Sequence, residues 1–361
     1  LSNGVTKFSD LNKKDNSNIK SGNYKVVKKN DIPYNSMRMW QGASGVSSYD
    51  GIVSPAYTVL VPNRNSNSNF YAVLFKKKSI LNLFTRFSQG LTSDTWNLKY
   101  PILKDIIVPF TNLEEQKRIF KIFNVINNLL ALYERKLKLL SKTKKYFLQK
   151  LFVNGMQKHP VIRFREFNDD WQEKKLTQLF KISNETNLDN KLCFSKQDVL
   201  SVSDKFGVVN QIKLQGRSFA GNNISKYKVV RNNQIVYTKS PLKDKPYGII
   251  KIVSNIKGIV SPLYIVNNVI GNNAWFIYYY FDLKSRTNNY LKPLVRLGAK
   301  HTMNITDKEW LSGKIFISEV IQEQEKIANL LNMIDKLIRL NEQQLSNLEE
   351  LKECLLQNMF C

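Results

Sequence analysis

Four groups of residues in this chain have the types that do chemistry, and in each the spacing argues against it. Asp31-Ile-Pro-Tyr34 has the outline of the Asp/Asn-Pro-Pro-Tyr tetrad with which N6-adenine methyltransferases hold a target amine. The chain repeats itself, however, and the residues aligned with this tetrad are Gln234-Ile-Val-Tyr237, an ordinary strand. No glycine-rich cofactor loop follows an expected strand. Asp169, Asp170 and the run Glu173-Lys174-Lys175 bring carboxylates beside lysines, the ingredients of a metal-dependent nuclease. They lack the spaced Asp-to-Glu-x-Lys frame on consecutive strands, and a solvated helix start accounts for them. Gly313-Lys314 has neither the upstream glycine of a phosphate loop nor the Ser/Thr that should follow. His159 and His301 are the only histidines, far apart and without metal-ligand spacing, so a linker and a loop are their expected homes. The sequence predicts no catalytic residue, no metal site and no cofactor bound by this chain.

Binding chemistry is better supported. Fifty-five Lys and Arg against 29 Asp and Glu give a net charge of +26. That surplus suits a polyanion, and nucleic acid is favoured over a merely solvated basic surface. Side chains that read base edges are Arg, Lys, Asn and Gln, while Lys and Ser/Thr largely hold phosphates. One candidate loop holds Arg38 and Gln41, with Trp40 as either a wedge or a packing residue. A second, Thr238-Lys-Ser-Pro-Leu-Lys-Asp-Lys245, offers Lys239, Lys243 and Lys245. Further basic loops run from Arg86 to Ser93 and from Arg296 to His301, adding Arg86, Arg296 and Lys300.

The elements that must position these residues occur twice. Leu113–Phe152 and Ile321–Phe360 align without a gap, matching Gln116 with Gln324, Ile119 with Ile327, Asn124 with Asn332 and Phe152 with Phe360. Tyr24-Lys-Val-Val-Lys-Lys-Asn-Asp-Ile32 recurs as Tyr227-Lys-Val-Val-Arg-Asn-Asn-Gln-Ile235, and Gly51-Ile-Val-Ser-Pro55 as Gly258-Ile-Val-Ser-Pro262. Between these motifs Asn35–Tyr49 and Thr238–Ile256 share almost nothing, the pattern of a common scaffold of short strands carrying divergent loops. Two copies of one frame with different loops would read two different things.

Apolar residues at spacings of three and four predict one continuous helix over each long repeat, about 60 Å at 1.5 Å per residue. A strict heptad begun at Ile119 or Ile327 places Lys136 or Gln344 in the seam, so the seam is expected to shift there. The first helix carries ten Lys/Arg against three Glu, and the second four against seven acidic residues, so the two should attract one another. A dyad relating the halves makes the pair antiparallel with the globular parts at opposite ends; sequence alone also allows a parallel pair. The expected architecture is α+β, with two pseudo-symmetric α/β domains joined by two long antiparallel coiled-coil spacer helices. The boundaries are a first domain at 1–112, a central helix at 113–152, a linker and second domain at 153–320, and a final helix at 321–361. Phe164–Phe180 has no counterpart before Tyr24, and scaling from the second copy up to about 50 residues are absent from the front of the first.

The length allows two ordinary cores. No window approaches the ~18 uninterrupted apolar residues of a membrane span, nothing resembles a secretory signal at the available N-terminus, and three cysteines form no disulfide framework. A cytoplasmic protein is expected.

Taken together, the two Glu-Gln-x-x-Ile helix starts (Glu115–Ile119 and Glu323–Ile327), the Leu-Leu-Gln-x-Met-Phe ending at Leu355–Phe360 and Phe167-Asn-Asp-Asp-Trp171 carry a resemblance. Over nearly all its length the chain resembles the specificity subunits of Type I restriction-modification enzymes. The resemblance implies two target-recognition domains, each reading one half of an interrupted double-stranded DNA sequence, with the helices as a spacer that sets the gap. It implies a non-catalytic subunit that docks two adenine methyltransferase (modification) subunits and further restriction subunits that translocate and cut DNA. S-adenosylmethionine, ATP and Mg2+ would belong to those partners. The alternative from composition alone is a non-catalytic RNA-binding or coiled-coil scaffold protein.

Overall fold

The computed structural model describes residues 4–11, 23–155, 157–188, 194–239, 242, 245–297 and 303–360. They form two compact units, one from Leu1–Leu137 with Leu340–Cys361 and the other from Lys138–Arg339. Each of the two long helices is therefore shared between the units.

Unit 1 contains β1 (Lys25–Val27), β2 (Ile32–Asn35), β3 (Gly51–Val53), β4 (Tyr57–Leu60), α1 (Ser68–Leu74), α2 (Lys78–Phe87) and α3 (Tyr100–Leu103), followed by the first part of α4 (Leu113–Lys150). Unit 2 opens with β5 (Gln172–Lys175), α5 (Leu176–Leu179), β6 (Phe180–Ile182), β7 (Leu200–Ser203), β8 (Gly207–Asn210) and α6 (Gln211–Gln215). It continues with β9 (Lys228–Val230), β10 (Ile235–Thr238), β11 (Ile249–Ile252), β12 (Gly258–Val260), β13 (Ile265–Val269), α7 (Ala274–Asp282) and α8 (Lys284–Leu291). It closes with β14 (Arg296–Leu297), β15 (Met303–Asn304), α9 (Asp307–Ser312), β16 (Lys314–Ile317) and the first part of α10 (Ile321–Asn358).

The repeat read from sequence is a repeat in register. β1 pairs antiparallel with β3 through Lys25↔Val53, and β9 with β12 through Lys228↔Val260. β2 pairs with β4 as β10 pairs with β13, and unit 2 extends the latter into a four-stranded sheet of order β11-β10-β13-β6. The same turn enters each pair: Asn30 and Asn233 adopt left-handed φ of 75° and 64°, which Asn tolerates better than most side chains. The next residue then caps the turn, Asp31 Oδ2 accepting the Lys28 N–H at 2.8 Å and Gln234 Oε1 the Arg231 N–H at 2.7 Å. The Asp31-Ile-Pro-Tyr34 tetrad is thus turn and strand, with Tyr34 buried.

The helix-start motif has an equally specific role. Gln116 and Gln324 are both fully buried. Gln116 accepts the Asn67 N–H at 2.8 Å and donates to the carbonyls of Thr111 (2.7 Å) and Asn65 (3.1 Å). Gln324 accepts the Asn273 N–H at 2.8 Å and donates to Ser318 O (2.7 Å) and Asn272 Oδ1 (2.8 Å). Asn67 and Asn273 in turn cap α1 and α7 through the N–H groups of Phe70 and Phe276. Each long helix is therefore pinned at its first turn to the helix beside it.

Each unit's core is completed by the far end of the other half's helix. Phe360, just past α10, packs in unit 1 on Phe70 (ring centroids 5.2 Å apart) and Phe123 (5.9 Å). Its counterpart Phe152, just past α4, packs in unit 2 on Phe276 (5.1 Å) and Trp171 (6.2 Å). In both units the start of one long helix thus meets the end of the other, the sense of an antiparallel pair. Along α4 the inward residues are Ile119, Phe123, Ile126, Leu130, Tyr133, Leu137, Leu140, Lys144 and Phe147, alternating in steps of four and three. Along α10 they are Ile327, Leu331, Ile334, Ile338, Asn341, Leu345 and Leu348. The expected shift at Lys136 and Gln344 does not occur. The seam takes the step of four after Ile119 and Ile327, which leaves Lys136 and Gln344 exposed and the heptad regular.

Phe167-Asn-Asp-Asp-Trp171 belongs to the same scaffold. Buried Trp171 donates its indole N–H to Glu323 Oε2 at 3.2 Å, and Arg163 grips both Glu323 oxygens at 2.7 and 2.9 Å. Asp170 pairs with Lys158 (3.3 Å) and His159 (3.2 Å), and Glu173 with Lys314 (2.8 Å), all on the surface. Gly313 is required by packing: a Cβ there would meet the Tyr290 ring at 2.4 Å. Among the described residues no cluster of His, Cys, Asp or Glu could hold a metal ion, and no helix is long and apolar enough to cross a membrane.

Candidate DNA-recognition surface

The divergent loop of unit 1 is a compact shelf. A 3-10 turn spans Met39–Gln41, with buried Met39 anchoring it and exposed Arg38 directly before it. Arg38 donates to Gln41 Oε1 at 3.4 Å, so the two predicted readers sit side by side. Trp40 packs edge-on against Trp96 at 5.1 Å and donates to Met37 O at 3.2 Å, which makes it a packing residue. Lys76 supports the shelf from beneath, donating to the carbonyls of Gly42 and Ser44; burial lowers its pKa below the usual lysine value. Arg86 lies exposed in the last turn of α2.

In unit 2 the predicted residues separate. Lys239, immediately after β10, and Arg296 in β14 line one cavity of about 490 Å³ together with Lys228. Arg296 is exposed and ion-paired with Glu309. Lys245 turns away to pair with Asp204 of the β7–β8 turn. Lys243, Lys300 and His301 lie outside the described residues.

Sequence reasoning missed the network behind Lys245. Lys251 on β11 reaches Asp204 (3.4 Å) and Asp282 (3.7 Å); Lys144 on α4 bridges Asp282 and Asp335 at 2.7 Å each. Burial alone would raise the Asp282 carboxyl, but Lys144 and Lys251 hold it below the ordinary carboxylate range. Burial would likewise lower Lys144, and its two carboxylates raise it instead. The chain of charges runs within unit 2 from the long helices to Lys245. It is a structural ion-pair network: every member has an opposite partner, and none lines the cavity.

Residues 2–142 match the family model described as the type I restriction modification DNA specificity domain. The putative type I restriction enzyme MjaX specificity subunit of Methanocaldococcus jannaschii is 26% identical over 322 residues, covering 82% of this chain and 68% of that protein. The chain is similar to the specificity subunits of type I restriction-modification systems. A second relative, the type I restriction enzyme MjaVIII specificity subunit of the same organism, is 27% identical over 163 residues, covering 44% of this chain and 37% of that protein. In fold, the chain is similar to the type I restriction-modification S subunit of M. genitalium, with a TM-score of 0.59 at 15% identity over 93% of this chain and 84% of that one. A specificity subunit is the DNA-recognition component of its system and not its catalytic one, and these matches do not favour an RNA-binding or scaffold role.

Proposed function

We propose that each unit reads one half of an interrupted duplex sequence, and that the paired helices set the gap between the halves. The observation that carries this reading is the repeat itself: one scaffold built twice, with the same turn, the same strand register and the same buried glutamine, while Asn35–Tyr49 and Thr238–Ile256 diverge. In this reading residues 1–112 and 153–320 are the target-recognition domains, and 113–152 and 321–361 the spacer helices. Arg38, Gln41, Arg86, Lys239, Lys243, Lys245, Arg296 and Lys300 are the contacts proposed from sequence, with Lys245 needing to release Asp204 to serve.

The same proposal gives the subunit two modification partners. Besides its inward seam, α4 carries an outward one in unit 1, where Ile122 (41% exposed), Val125 (50%), Leu129 (38%) and Leu132 (59%) again follow steps of three and four. In unit 2 the equivalent positions of α10 carry exposed Met333 and Leu337. Apolar heptad positions facing solvent suit a partner helix, and two equivalent seams suit two copies of one partner, the adenine methyltransferase subunits. Restriction subunits would join through them. S-adenosylmethionine, ATP and Mg2+ would be bound by those partners, in the cytoplasm with the DNA. Reconstitution with the methyltransferase subunits and mapping of methylated adenines tests the proposal: two short fixed blocks around a fixed gap are expected, and methylation at one uninterrupted block contradicts it.

A further inference from the structure

The unit 2 cavity has a twin. In unit 1 a cavity of about 600 Å³ is lined by Lys25, Ser36, Pro55 and Tyr100. In unit 2 the cavity of about 490 Å³ is lined by Lys228, Lys239, Pro262 and Asp307. These are the same four places in the fold. Lys25 and Lys228 open β1 and β9 and pair with Val53 and Val260 in the same register. Pro55 and Pro262 follow the repeated Gly-Ile-Val-Ser. Ser36 and Lys239 are the first residues after β2 and β10, where the divergent loops begin, and Tyr100 and Asp307 open α3 and α9. Of these four places, lysine and proline are kept and the other two change. A duplicated hollow with constant and variable walls is what a duplicated reader needs.

We propose that these twin cavities are where each unit seats the DNA duplex, a backbone phosphate resting on Lys25 or Lys228, and that the pairs Ser36/Lys239 and Tyr100/Asp307 set the base preference of each half-site. The inference rests on the DNA-reading proposal and adds its chemistry. Lys25 is exposed and held at the cavity wall by donating to Tyr57 O at 2.5 Å. Lys228 is half-buried; its pKa is lowered by burial and by neighbouring Lys239, with Asp307 opposing. On the variable walls, Lys239 only donates, the chemistry that suits guanine O6 and N7, and Asp307 accepts, which suits cytosine N4. Ser36 and Tyr100 each donate and accept, so unit 1 should prefer different bases.

The test uses the full chain reconstituted with its methyltransferase subunits, titrated with target duplex across a salt series. Lys25→Ala and Lys228→Ala should each weaken binding several-fold on every target sequence and reduce the salt slope by about one. Lys25→Arg and Lys228→Arg should restore both. Asp307→Asn and Tyr100→Phe should each alter base preference, one in each half-site, read by sequencing the bound fraction of a randomised duplex pool. Alanine variants with wild-type affinity and slope overturn the shared phosphate site, and loss of preference in both halves from one wall substitution overturns the variable walls. A wild-type complex that shows no duplex preference overturns the DNA reading beneath it, a different result from either.

Discussion

Replacing Gln116 or Gln324 with alanine tests the duplicated scaffold at its most specific joint. Each side chain is fully buried and makes three hydrogen bonds of 2.7–3.1 Å. A net hydrogen bond is worth about 0.5–1.5 kcal/mol, and a buried group left without a partner costs about 1–3 kcal/mol. Alanine strands the N–H of Asn67 or Asn273 and the carbonyl of Thr111 or Ser318, so a loss of roughly 2–4 kcal/mol is expected from those ranges. That exceeds the ~1 kcal/mol of a typical substitution. For units of this size it corresponds to a fall in Tm of roughly 5–15 °C. Thermal unfolding gives the total, and hydrogen exchange resolved by peptide assigns it. Gln116→Ala should lower protection of α1 and the start of α4, and Gln324→Ala that of α7 and the start of α10. A change below about 0.5 kcal/mol at either site, or a large loss at one and none at the other, would refute the claim that the two joints are the same device.

Three further outcomes follow from the geometry. Asp282 and Asp204 have folded pKa values below the unfolded carboxylate value of about 4. Their stabilisation is therefore present above that pH and lost as pH falls through the folded values; urea midpoints of unit 2 should drop on acidification, more steeply in wild type than in Asp282→Asn. Leu129→Asp and Leu337→Asp place a charge on the outward seams without touching a core, so each should weaken one of two methyltransferase docking events by tenfold or more, about 1.4 kcal/mol, measured by the mass of the assembled complex; full assembly of both variants would remove the seams as docking faces. Affinity for non-specific duplex should fall by about a thousandfold or more between 50 and 200 mM salt if six or more phosphates are met, and a flat response would remove the electrostatic argument.

Much of this was legible in the residues. Unbroken spacings of three and four fixed both long helices, and the gapless match of Gln116 with Gln324 and Phe152 with Phe360 revealed the duplication because the same buried contacts constrain both copies. The seam was misjudged because positions 122 and 123 are both apolar: Ile122 faces outward and Phe123 inward, and a list of apolar residues cannot separate two seams on one helix. The sharing of each helix between units was invisible because Phe360 and Phe70 meet across most of the chain. The recognition residues were the least legible. Lysines 239 and 245 look alike in a basic loop, yet one lines a cavity and the other pairs with Asp204, a partner 41 residues away. Lys25 and Lys228 passed as strand residues until the cavities put them at matching positions.

The most direct measurement is an exchange. Residues Thr238–Ile256 would be replaced by the corresponding loop of a relative with a different target, and the methylated sequence mapped across a genome. If two like units read independently, one block of the recognised sequence changes while the other block and the gap are untouched. A change in both blocks, or in neither, would contradict the account.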